Sequence, residues 1–189
     1  MKKLIIPAIG LIVLIFSGCK DKNVKTASPQ ITDCIVSQEG IDSLKLDMPK
    51  AALEKLLGIK ITLKHITVDD HFFDTVQAKY KNMDVRLLLQ EGDSLEVAKL
   101  SSIMTSSPLC KTSSGIRVGD EKIKIIDSYT ANRIYADYEY ETYPQRSKTR
   151  STVAVTFPSS EYERRIAIIF YLEKNKMTAV EISNTYEFD

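Results

Sequence analysis

The chain has no tryptophan and only two histidines, His65 and His71, in 189 residues. It has no Gly-x-Ser-x-Gly segment, no His-Glu-x-x-His segment and no glycine run that could cradle a phosphate. Those patterns carry an exposed nucleophile, a zinc-bound water and a row of backbone N–H donors respectively. Without them nothing marks the chain as an enzyme, and no cofactor is expected. A charge excess is missing too: 26 Lys and Arg, of which Lys2 and Lys3 precede Cys19, stand against 25 Asp and Glu. A general nucleic-acid binder needs a basic excess, so no nucleic-acid partner is expected. After Phe16 there is no second long apolar run, hence no second membrane segment. A metal site could be drawn from His65 and His71 with Asp69, Asp70 and Asp74. His65, however, shares a face with Leu63 and reads as a core histidine, and Asp69-Asp70 reads as a solvated turn. No metal is expected.

What the sequence does contain begins at its first residue. Met1-Lys2-Lys3 is basic, Leu4 to Phe16 is apolar apart from the interruptions at Pro7 and Gly10, and small Ser17 and Gly18 lead into Cys19. A basic start, an apolar stretch and small residues before a cut are the parts of a secretion signal. The stretch is short of the roughly 20 apolar residues that span a bilayer. Ile15-Phe16-Ser17-Gly18-Cys19 resembles the lipobox of bacterial lipoproteins. That resemblance implies cleavage just before Cys19, lipidation of Cys19 and attachment to a membrane through the N-terminal lipid. Each buried methylene contributes about 0.8 kcal/mol, so more than one acyl chain holds a protein durably. Lys20 stands where an aspartate would resemble an inner-membrane retention signal, which implies the outer membrane of the cell envelope. Residues 1–18 are then the signal peptide. Polar residues 19–32, with Ser28-Pro29 and no periodicity, read as a flexible tether.

In an exported chain the remaining cysteines, Cys34 and Cys110, are an even pair in a compartment where disulfides persist. A bridge between them closes a long loop, contributing about 4 kcal/mol in the chain-entropy model. Two buried free thiols are the alternative.

Periodicity then organises the rest. Leu44 and Leu46 alternate with polar residues. Asp47-Met48-Pro49 starts a helix with an apolar stripe of Ala52, Leu53, Leu56 and Leu57, and Gly58 ends it. Alternation predicts strands through Ile59, Ile61 and Leu63, through Val76, Ala78 and Tyr80, through Met83 to Leu89, and from Leu95 to about Ser106. Lys81-Asn82 and Gly92-Asp93 are the turns between them. The arrangement recurs: Ile116 and Val118 precede a short helix capped by Asp120, with Ile123, Ile126 and Tyr129 on its apolar face. Strands follow through Ile134, Ala136, Tyr138 and Tyr140, through Val153 to Phe157, through Ile166 to Leu172, and from Met177 to Ser183 after a turn at Lys174-Asn175-Lys176. Repetition of this kind predicts two related units, residues 33–110 and 111–189, together one globular α+β domain of two tandem helix-plus-antiparallel-meander units. A Cys34–Cys110 bridge would staple them.

The paired lead-ins, Ser43-Leu44-Lys45-Leu46-Asp47-Met48 with Ala51 to Gly58 behind it and Gly115-Ile116-Arg117-Val118-Gly119-Asp120, resemble the helix start of small outer-membrane lipoproteins of the SmpA/OmlA type. In tandem they resemble β-lactamase inhibitor protein. The implied fold is the tandem one just described.

For binding, the Tyr135, Tyr138, Tyr140 and Tyr143 cluster stands out, because tyrosine is enriched at protein interfaces. Tyr138 and Tyr140 fall on the apolar side and read as core, whereas Tyr135 points the other way. Arg146, Lys148 and Arg150 read as a polar connection between strands that can carry binding. The expected function is a lipid-anchored, non-catalytic module that binds an unidentified envelope protein. The alternatives are an inhibitor of a secreted or periplasmic enzyme and a small-ligand or metal carrier.

Overall fold

Two asparagine turns set the register of the main sheet. Lys81-Asn82 takes φ of 46° and 65°, and Lys174-Asn175 takes 50° and 64°. Two successive left-handed residues make the tight turn whose twist suits antiparallel neighbours, and asparagine enters that region more readily than most residues. Alternation then decides which face is buried. Met83, Val85, Leu87 and Leu89 are buried, while Asp84 and Arg86 between them are exposed.

The computed structural model describes residues 33–64, 66–68, 71–90, 98–142, 145–158 and 166–184. Ile31–Asp189 forms one compact unit. In chain order the elements are β1 (Cys34–Ser37), β2 (Gly40–Ile41), β3 (Leu44–Lys45), α1 (Lys50–Leu57), β4 (Ile66–Val68), β5 (His71–Tyr80), β6 (Met83–Gln90), β7 (Lys99–Thr105), β8 (Cys110–Thr112), α2 (Lys122–Ser128), β9 (Arg133–Thr142), β10 (Gln145–Phe157), β11 (Ile166–Glu173) and β12 (Lys176–Ser183). An eight-stranded sheet runs β4-β5-β6-β7-β12-β11-β10-β9, and a four-stranded one runs β3-β2-β1-β8. Every described pairing in the large sheet is antiparallel. In the small sheet β1 and β8 are parallel.

Cys34 and Cys110 oppose each other directly on β1 and β8 and are joined by a disulfide, with Cα atoms 4.4 Å apart. Between the layers lies one apolar cluster. The small sheet contributes Val36 and Ile41, the helices Leu53 and Ile125, and one face of the large sheet residues such as Leu87 and Phe170.

The expected α+β body of two helix-plus-meander units does not form. Strands make up 59% of the described residues, and the two helices are only eight and seven residues long. Each helix fully buries a single residue, Leu53 in α1 and Ile125 in α2. The class is mostly β. The physical reason is the meander edge: a terminal strand leaves backbone donors and acceptors unpaired. Here β7 and β12 satisfy each other, from Val180↔Thr105 to Ser183↔Ser102, and fuse the strands into one sheet. The first lead-in supplies β3 of the second sheet, while the second touches that sheet only through an isolated bridge between Lys111 and Arg117. The expected boundary between residues 110 and 111 falls inside β8.

Local details differ as well. Pro49, not Asp47, precedes α1, while Asp47 takes φ 61° and donates its N–H to the Leu100 carbonyl. The expected stop does hold: Gly58 ends α1 in the left-handed region at φ 66°, and its N–H bonds the Glu54 carbonyl. Leu56, assigned to the apolar stripe, is exposed. In α2 the buried position is Ile125, and Ile123 is exposed. Asp120 Oδ2 accepts the Arg117 N–H, 2.8 Å away, and pairs with Lys124. Residues 59–64 form no strand. Side-chain carboxylates hold them, with Ile61 N–H bonded to Glu54 Oε1 and Lys64 N–H to Asp74 Oδ1.

Candidate functional site

The same alternation that buries Val85 and Leu87 sends Arg86 to the opposite face of the large sheet. Register across the sheet lines up one row on that outer face. Gln77 on β5 opposes Arg86, Arg86 opposes Met104 on β7, and Met104 opposes Glu181 on β12. Glu181 opposes Ile169, Ile169 opposes Ala154, and Ala154 opposes Tyr135 on β9. The helices and the small sheet bury their residues in the core on the other side. Along the row Gln77 and Arg86 are exposed, Met104, Glu181, Ile169 and Tyr135 are partly buried, and Ala154 is buried.

Glu181 is the anchor of the row. Tyr171 on β11 donates its hydroxyl to Glu181 Oε2 at 2.7 Å. Ser102 on β7 donates to Glu181 Oε1. Arg86 stands 3.9 Å from Oε2. The Glu181 side chain is only 13% exposed and that of Arg86 is 47% exposed. Burial, reinforced by the neighbouring Glu181 charge and hydrogen bond, pushes the Tyr171 hydroxyl well above the usual tyrosine range. Chemically this carboxylate is occupied: both oxygens accept hydroxyl protons from its own sheet. It fixes Tyr171 and Ser102 in place, and the Arg86 guanidinium makes no hydrogen bond among the described residues, its one described pairing being the long contact to Glu181. Arginine, methionine and tyrosine are enriched at the centres of protein interfaces.

At the β9 side, the Tyr135 ring is half-buried beneath the Arg133 guanidinium, 4.8 Å from its centroid. Arg146, Lys148 and Arg150 belong to β10 itself, not to a connection between strands. The β9 register jumps between Arg146 and Ser151, so the intervening residues bulge from the ladder. Buried Ser147 ties the bulge by accepting the N–H groups of Thr149 and Arg150 at 3.3 and 3.1 Å. The bulge carries Arg146 to within 3.9 Å of Asp137 and Arg150 to within 3.5 Å of Glu139. Lys148 is exposed. The structure thus gathers Tyr135, Arg146 and Arg150 around β9. Tyr138, read as core, is 49% exposed, with Lys122 Nζ 5.6 Å from its ring centroid. Its side of β9 does face the core layer, but β9 is the last strand and the layer stops short of it.

Sequence reasoning did not single out Arg86, Ser102, Met104, Ile169, Tyr171 and Glu181. Alternation marks Arg86 and Glu181 as outward positions, but only the β7–β12 junction brings them together.

Cys19, the signal at 1–18 and the tether at 19–32 lie outside the described residues, as do His65, Asp69, Asp70 and Tyr143. The same holds for the His71 and Tyr140 side chains. Buried Asp74 accepts the Lys64 N–H at 2.6 Å. Among the described residues no group of three or more His, Cys, Asp or Glu could hold a metal ion, and no helix is long and apolar enough to cross a membrane. Against known proteins, no family model matches the chain, no curated protein matches it, and no solved structure matches it.

Proposed function

We propose that the chain is a lipid-anchored cell-envelope protein acting as a non-catalytic binding module, and that an envelope protein docks on the outer face of the eight-stranded sheet. The observation carrying this reading is the outer row, in which Glu181 holds Tyr171 and Ser102 while the Arg86 side chain stays about half exposed beside it. Side chains fixed before binding lose less freedom on docking, which favours affinity. The lipobox-like N-terminus and the Cys34–Cys110 disulfide support an oxidising, membrane-attached location.

The test has two arms. Mass spectrometry of the mature N-terminus is expected to find acylated Cys19, and Cys19→Ser is expected to release the body from the membrane fraction. Affinity capture from intact cells is expected to enrich one envelope protein, with retention reduced about tenfold or more by Arg86→Ala, as for a central interface arginine. Arg117→Ala, on the small-sheet side, should leave capture unchanged. A bare N-terminus removes the anchored reading. Capture insensitive to Arg86→Ala removes the outer face as the docking surface.

A further inference from the structure

The eight-stranded sheet ends at β9, which pairs with β10 on one side and, among the described residues, with no strand on the other. The edge is long, spanning ten residues. Strands left open in this way are usually short, or interrupted by lysine or proline, because an unpaired ladder recruits another strand. β9 has neither lysine nor proline, and its charged residues, Arg133, Asp137, Glu139 and Glu141, are of both signs. The apolar layer beneath it also runs short of cover. Ile123 on α2 is 58% exposed and Tyr138 is 49% exposed, and Ala136 between Ile134 and Tyr138 is exposed too. An apolar layer reaching past the last strand is what a sheet one strand short presents.

We propose that the missing strand is β9 of a second copy, paired antiparallel about a two-fold axis at Ala136. Opposed residues in an antiparallel pair lie on the same face, which restricts the register. With Ala136 facing Ala136, Arg133 meets Glu139 of the second copy and Ile134 meets Tyr138. Tyr135 meets Asp137 of the second copy. From Arg133 to Glu139 each charge then faces an opposite charge or a tyrosine, and apolar faces apolar, the pairings that stabilise cross-strand neighbours, while Glu141 lies beyond the paired stretch. Moving the axis one position to Asp137 would set two carboxylates against each other. The surface is therefore self-complementary, as a two-fold interface must be. One donor changes partner: the Tyr138 N–H, held by Asp137 Oδ1 at 2.7 Å, passes to the second copy. The pairing does not depend on membrane attachment, and it shares only Tyr135, at the end of the outer row, with the docking face proposed above.

Directly opposed residues lie within disulfide reach of each other, so Ala136→Cys reads the register. In the otherwise unchanged full chain, mild oxidation of Ala136→Cys is expected to give at least tenfold more covalent dimer than Leu56→Cys, an exposed position on α1. Arg133→Glu and Glu139→Arg are each expected to weaken dimerisation at least tenfold, and the double exchange to restore it. Ala136→Cys crosslinking no better than Leu56→Cys would overturn the proposal. So would an adduct with a different protein, or a double exchange that fails to rescue while both single variants stay folded by circular dichroism.

Discussion

Glu181 matters most on the outer face because it takes two hydroxyl protons at once, from Tyr171 and Ser102. Removing it leaves both hydroxyls without that acceptor, so Glu181→Ala is expected to cost about 1–3 kcal/mol in denaturant unfolding. The effect should be much smaller at the exposed carboxylate of Asp84. Tyr171 reports on the same contact. Burial first, and Glu181 second, hold its proton above the ordinary value near 10. The neutral hydroxyl stabilises the fold fully below that ordinary value. The contribution is lost as pH rises from there through the raised value, because the unfolded chain releases its proton first. Absorbance titration of the nine tyrosines is therefore expected to show a late-ionising component that Tyr171→Phe abolishes. The fall in stability above pH 10 should be shallower in that variant.

Turns and strand edges decide the elements. Gly40 takes φ 146°, and a Cβ there would overlap the Leu44 carbonyl oxygen on the paired strand β3. Gly40→Ala is expected to lower stability by more than about 1 kcal/mol, measured by thermal unfolding, whereas Gly115→Ala meets no neighbouring atom and only the strain of its φ of 78°. Much at this scale was legible in the sequence. The Lys81-Asn82 and Lys174-Asn175 turns, the buried run of Val153, Val155 and Phe157, and the stop at Gly58 follow from local chemistry. The rest depends on distant partners. Ile123 and Ile125 look alike in sequence, and only the underlying sheet selects Ile125. Tyr138 alternates as a core residue should, but it stands on the last strand, where cover runs out. Residues 59–64 alternate like a strand and find no ladder. Arg146 to Arg150 look like a loop because the bulge that holds them is tied by Ser147 from within β10.

At the scale of the whole molecule, the β7–β12 junction joins the two runs of strands, and the Cys34–Cys110 bridge ties the chain across a sequence separation of 76 residues. Local periodicity does not see the junction, which is why two units were expected where one eight-stranded sheet joins both runs of strands. The bridge was legible from the even pair of cysteines. Replacing both cysteines with serine is expected to cost about 2–5 kcal/mol, read as a lowered denaturant midpoint, with the strand signature in circular dichroism retained once refolded. The central claim is that the outer sheet face of a membrane-tied body is where a partner sits. Its most direct measurement is photo-crosslinking in intact cells, with the photoreactive side chain at Met104 in the middle of the outer row and, as control, at Leu56 on α1. The account predicts one discrete protein adduct from Met104 in the membrane fraction and none from Leu56. The same adduct from both positions, or from Leu56 alone, would contradict it.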